Sequence, residues 1–194
     1  MKNINSQIIS KLLPSQEEPL VRVNIKYPLS GDEKIDAYIA RIANALERFA
    51  AKKIVARRQR SENKEPFSVV ATYEVTLDSE SFFCLYFDVF VWQGEGKSEI
   101  KRIPLNFDKH TSSIIFPLEK CHRRELVGRL QASLSKINMS TLYADSVKRA
   151  RKYFKKTNAV IAPDGIYITY NSGILAPHKM GAMKVFLVHI PNIG

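Results

Sequence analysis

Eleven residues from Phe82 to Trp92, FFCLYFDVFVW, carry almost nothing but apolar and aromatic side chains. A membrane-crossing helix needs about 20 such residues, so the run is too short for one. Its odd and even positions are both apolar, the pattern of a central strand covered on both faces. The flanks agree. Ser68 to Leu77 alternates Val69, Ala71, Tyr73, Val75 and Leu77 against Ser68, Val70, Thr72, Glu74 and Thr76. Asp78 to Ser81 and Gln93 to Gly96 have turn composition, and Lys97 to Phe107 reads as a third strand. Two hairpins in a row predict an antiparallel meander.

The rest of the chain arranges itself around that meander. Leu20 to Tyr27 alternates strictly and predicts a half-buried strand ended by Pro28. Ser30 and Glu33 have capping-box spacing, predicting a helix to about Arg58 with Ile35, Tyr38, Ile39, Ile42, Leu46 and Phe49 on one face. Ser61 to Pro66 reads as a polar loop. A short strand is expected at Ile114 to Phe116. A helix then opens at Pro117 and carries Leu126, Leu130, Leu134 and Ile137. A further helix from Thr141 to about Lys156 would bury Tyr143, Val147, Ala150 and Phe154. The last strands are expected at Ala159 to Ala162, Ile166 to Tyr170 and Lys184 to Ile190, with Pro163-Asp164-Gly165 as a turn. This order predicts an α+β fold, a mostly antiparallel β-sheet packed against three main helices.

Composition bounds the function. At 194 residues, 45% hydrophobic and 25% charged, the chain suits one globular domain or two joined halves. Two cysteines, Cys84 and Cys121, are too few for a disulfide scaffold. Residues 1–19 hold no apolar core of the length a secretory signal needs, so the expectation is a frayed or helical N-terminal extension and a cytoplasmic protein without a transmembrane segment. The net charge of +11 is uneven. Residues 67–118 carry 4 basic and 7 acidic side chains, whereas residues 119–157 carry 11 and 3. The excess therefore sits on the expected helices.

At the C-terminus, Asn158 to Tyr170, Ile174-Leu-Ala-Pro177, Gly181-Ala182 and Val185 to Pro191 follow a recognisable course: an apolar strand, a D-G turn, an apolar-aromatic strand, an I-A-P segment, a glycine, and a strand ending in I-P. This course resembles the bacterial domain of unknown function 3298, and Phe107-Asp108, Thr111 and Ile114-Ile115 fit that family's beginning. Val21 to about Leu105 resembles the domain that commonly precedes it, as in the extracellular parts of PdaC-type peptidoglycan deacetylases and RsiV-type anti-sigma factors. The resemblance implies an N-terminal part at 20–107 and a second part at 108–194, packed as one compact unit. It implies a protein or cell-wall glycan as ligand. It carries over neither deacetylase nor sigma-binding activity, since the resemblance covers only these paired domains and not the segments that perform those activities. Family members often have a G-G-A-H run where this chain reads Trp92-Gln-Gly-Glu-Gly96.

Candidate chemistry is sparse. Gly94-Glu-Gly96-Lys97-Ser98 ends like a phosphate-binding loop, yet the glycine needed five positions before Gly96 is Val91, and a strand pattern follows. A hairpin turn is expected. His110, His122, His178 and His189 show no metal-ligand spacing. No nucleophile signature is present, and Asp108, Glu119 and Asp164 fall at turns or helix starts. The expectation is a noncatalytic binding module with no cofactor and no metal.

Two surfaces are candidates. The basic runs Arg57, Arg58 and Arg60, then Arg123 and Arg124, then Lys148, Arg149, Arg151, Lys152, Lys155 and Lys156 would bind nucleic acid or another polyanion if they share one surface. Trp92, on one strand face with Phe82, Tyr86 and Phe90, is a candidate partner contact, as are His178 and Lys179 in the long loop after Tyr170. The positive charge argues against a basic protein such as lysozyme as partner, because like charges facing each other cost affinity.

Overall fold

Alternation, turn chemistry and one long amphipathic stripe account for most elements of the computed structural model, which describes residues 4–13, 21–58, 67–92, 98–137 and 139–190. Strand β1 is Ser6–Leu13, β2 Val21–Pro28, helix α1 Glu33–Arg58, and the meander is β3 Phe67–Asp78, β4 Phe82–Trp92 and β5 Ser98–Asp108. Then come β6 Ser113–Ile114, α2 Arg123–Leu134, α3 Ser146–Tyr153, β7 Ala159–Ala162, β8 Gly165–Tyr170 and β9 Met183–Val188. The strands form a six-stranded sheet in the order β1 to β6 and a three-stranded sheet β7-β8-β9. The fold is α+β and mostly antiparallel, as the sequence predicts, with the strands divided between two sheets.

The chain divides into two compact units. One comprises Met1–Tyr73 and Val89–Glu99, the other Glu74–Asp88 and Ile100–Gly194. Within the first, β2 buries Val23, Ile25 and Tyr27 and exposes Arg22, Asn24 and Lys26. It runs parallel to β3, from Val21 opposite Phe67 to Ile25 opposite Ala71. Parallel neighbours need a long crossover, and α1 supplies it, lying against β2 with Ile35, Ile39, Ala43 and Ala50 fully buried.

Two expectations fail in this unit. The start of the chain is a strand rather than a frayed or helical extension: Ser6–Leu13 pairs antiparallel with β2 in an unbroken register. The amides and carbonyls on the outer side of β2 thereby gain partners. An edge position tolerates the exposed Gln7, Ser10 and Lys11, whose broken alternation hides the strand in the sequence. The cap of α1 is Asp32, not Ser30. Asp32 Oδ1 accepts the amides of Lys34 and Ile35 at 2.9 and 3.0 Å, while Ser30 donates from its backbone N–H and its hydroxyl to Asp36 Oδ1. Gly31, at φ +86°, makes the turn that shifts the cap by two residues.

The second unit has its own core. Leu126, Leu130 and Leu134 of α2 pack with Leu77, Cys84, Phe154, Ile166, Ile168, Tyr170, Val185 and Leu187. Each such side chain contributes roughly 1.5–3 kcal/mol by leaving water. Asn106 and Thr76 join the two sheets. The Asn106 side chain donates to the Ala159 carbonyl and accepts the Ile161 amide, both at 2.9 Å, and Thr76 Oγ1 donates to the Ile161 carbonyl at 2.6 Å. Gly165 sits at φ +147°, and a Cβ there would lie 2.1 Å from the Val188 carbonyl oxygen, so no other residue fits this turn unstrained.

The two helices of this unit are shorter than expected. Residues 117–120 form turns and α2 begins six residues after Pro117, so Ile137 lies past its end. The helix expected at 141–156 is eight residues long. Tyr143 precedes it, and Phe154 follows it in extended conformation. A four-three-four apolar spacing is met equally by one long helix or by a short one flanked by turns. The Gly94–Lys97 segment and the 61–66 loop lie outside the described residues, and Ser98 opens a strand as the hairpin reading requires.

Candidate functional site

Arg123 is the residue around which the basic end of the second unit is built. Its guanidinium donates to the carbonyls of Phe154 and Arg151 at 3.1 and 3.2 Å and lies 5.3 Å from the Phe154 ring centroid. The Ala150 carbonyl accepts the Tyr170 hydroxyl at 3.1 Å. These are carbonyls that a helix C-terminus cannot satisfy by itself, and a cation there also suits the helix dipole. Lys156 Nζ adds a bond to the Glu119 carbonyl at 3.0 Å. The start of α2 is therefore tied to the end of α3, and two basic runs far apart in sequence meet.

The predicted polyanion residues divide accordingly. Arg124, Lys148, Arg151, Lys152 and Lys155 are exposed. Arg123 and Lys156 serve the tie just described. Arg149 pairs with Asp145 at 2.7 Å and lies 4.4 Å from the Tyr143 ring centroid. Lys155 and Lys156 fall beyond α3, so the run does not wrap one helix as its spacing suggests. Arg57 and Arg58 end α1 in the other unit, and Arg60 lies outside the described residues. The carboxylates of the region are partly spent: Glu125 pairs with Arg129 and Asp145 with Arg149, both at 2.7 Å. A concavity of about 370 Å³ lies along α3, lined by Ala144, Asp145, Val147, Lys148 and Arg151.

The strand-face candidates are less open than the sequence suggests. Tyr86 is 3% exposed, and a cation lies over its ring. The Arg102 guanidinium lies 3.9 Å from its ring centroid and grips Asp88 through two bonds of 2.7 and 2.6 Å. The Tyr86 hydroxyl donates to Glu74. Burial first, and then the Glu74 bond, raise the Tyr86 pKa. Burial alone would lower that of Arg102, but Asp88 outweighs it and the net direction is up. Trp92, in the first unit, is half-buried. His178 and Lys179 are exposed in a 3-10 turn of the second.

Ser172 and His178 make a contact the sequence reading missed, Ser172 Oγ lying 3.3 Å from His178 Nδ1. The hydroxyl also accepts the Ile100 amide at 2.8 Å, and the Ser172 amide donates to the Ile100 carbonyl at 2.9 Å. The pair thus pins the loop after β8 to β5. Tyr153 was missed as well, at 43% exposed and with Lys152 Nζ 5.3 Å from its ring centroid. Its signal was the interleaving of aromatic and basic residues in Arg151-Lys-Tyr-Phe-Lys-Lys156. Among the described residues, no group of three or more His, Cys, Asp or Glu could hold a metal ion, and no helix is long and apolar enough to cross a membrane.

No protein-family model and no curated protein matches the sequence. Solved structures do match the fold. A domain of unknown function 3298 family protein from Pseudomonas aeruginosa superposes with a TM-score of 0.61 at 12% identity, over 96% of this chain and 91% of its own. A member of the same family from Bacteroides fragilis gives 0.58 at 13% identity, over 95% and 90%. Nearly end to end, therefore, this chain has the fold of domain of unknown function 3298 proteins, the family its C-terminal residues resemble.

Proposed function

We propose that this chain is a noncatalytic binding module whose ligand is a polyanion, held at the basic end where α2 begins and α3 finishes. The observation that carries the reading is the Arg123 tie. It gathers Arg124 with Arg151, Lys152 and Lys155 on one end of one unit, and exposed cations so grouped attract an anionic polymer by their summed field. In this reading the protein works in the cytoplasm.

The test is anisotropy of a labelled polyanion such as heparin at low salt. Binding should be measurable, and alanine at Arg124, Arg151, Lys152 and Lys155 together should abolish it. No binding by the unaltered protein, or equal binding by the fourfold variant, would sink the reading. The family resemblance supports a second reading, a protein or cell-wall glycan ligand, for which the half-buried Trp92 is the feature in favour. Pull-down on insoluble peptidoglycan, lost on Trp92→Ala, would establish it over the first.

A further inference from the structure

Four large hydrophobic side chains stand out as exposed among the described residues: Ile8, Phe116, Tyr153 and Met180. The two aromatic ones both border the basic end. Tyr153 is the last residue of α3, between Lys152 and the Phe154 carbonyl that Arg123 binds. Phe116 opens the turn closed by the Glu119 amide, and the carbonyl of that same Glu119 receives Lys156. Scattered exposed hydrophobics are ordinary, but aromatic rings set among cations are the pattern of a surface that takes both phosphates and bases.

Resting on the polyanion reading above, we propose that the polymer is a single-stranded nucleic acid, its phosphates held by Arg124, Arg151, Lys152 and Lys155 and a base stacked on Tyr153. Three polyanion classes compete, and the exposed Tyr153 favours one of them. Duplex phosphates or a carbohydrate polysulfate would need the charge alone and leave an exposed tyrosine without a role. An anionic membrane would likewise be held by the charge, and deeper entry would need a helix with an apolar face to spare. The apolar side of α3 is already spent inside the protein, with Ala150 at 0% and Phe154 at 2% exposure. Every base, in contrast, has a π-face, and Lys152, whose Nζ lies over one face of the ring at 5.3 Å from its centroid, adds a cation to the same surface and leaves the other face for a base. The recognition would tolerate any sequence, since stacking on a ring does not read base edges.

The experiment uses the full chain and labelled oligonucleotides of about 12 nucleotides, a length that a single compact site covers. The probes are a poly-uridine strand, an abasic strand of equal length, a matched duplex, inorganic polyphosphate, and vesicles of phosphatidylglycerol in phosphatidylcholine. The uridine strand should bind about tenfold more tightly than the abasic strand. Tyr153→Ala should remove that advantage while leaving polyphosphate binding unchanged, and Tyr153→Phe should keep it. Equal affinity for all soluble probes with no effect of Tyr153→Ala would overturn the stacking inference and leave the polyanion reading standing. Binding to vesicles alone would overturn it in favour of a membrane. Failure to bind any probe at low salt would remove both.

Discussion

Arg123 shows how one side chain serves fold and site together. Its guanidinium satisfies two carbonyls at the end of α3, and in doing so it holds the basic segments side by side. Arg123→Ala should cost about 1–2 kcal/mol in urea unfolding, whereas Arg124→Ala, which truncates an exposed side chain, should stay within about 0.5 kcal/mol. The distinction was invisible in the sequence, where Arg123 and Arg124 are two equal members of a charge run. What a cation touches depends on where a distant helix stops, and spacing cannot report that. Cys84 was legible: a cysteine in an apolar strand is a small core residue, and it is fully buried. Burial raises its pKa from 9.0 to about 12, so the folded state requires the neutral thiol. Stability is complete below pH 9 and falls as pH rises toward 12. The tyrosines add to the loss from pH 10: Tyr170 is raised by burial, and Tyr167 reaches about 12 through its bond to Asp164 and then burial. Thermal melts between pH 8 and 11 should therefore show a midpoint declining from about pH 9. Cys84→Ala should delay that decline by about one pH unit.

Elements were easier to read than their ends. The meander and the stripe of α1 were legible because alternation over ten residues, or an apolar repeat over about four turns, leaves few other folds. β1 was missed because an edge strand with one open side needs no strict alternation, as Gln7, Ser10 and Lys11 show. α3 is half the length its spacing predicts because Tyr143 and Phe154 sit at helical spacing from Val147 and Ala150 while lying outside the helix. The joint between the two sheets carried no sequence signal at all, since an asparagine in a strand looks like a weak strand residue. Asn106 is 3% exposed and takes the place of a missing stretch of ladder between β5 and β7. Asn106→Ala would leave the Ala159 carbonyl and the Ile161 amide without it, costing about 2–4 kcal/mol in chemical denaturation. Asn106→Asp keeps the acceptor, loses the donor and buries a charge, so it should cost more.

At the scale of the whole molecule, net charge misleads unless it is divided. A value of +11 suggests a uniformly basic protein, yet residues 67–118 are net acidic and residues 119–157 carry most of the surplus. Several of those cations are occupied within the fold: Arg149 by Asp145, Arg129 by Glu125, Arg123 and Lys156 by backbone carbonyls. The exposed ones around α3 are Arg124, Lys148, Arg151, Lys152 and Lys155. That division sets a number. A single strand releases condensed counterions in proportion to the phosphates neutralised, so log K against log salt concentration should fall with a slope of about −2.8 if the four proposed phosphate contacts, Arg124, Arg151, Lys152 and Lys155, act. Changing Lys152 and Lys155 to alanine should flatten it to about −1.4. A slope near zero would mean that the charge around α3 only solvates the protein. Because affinity at one salt concentration can come from many weak contacts, it is the slope and its change in the double variant that count the cations in use.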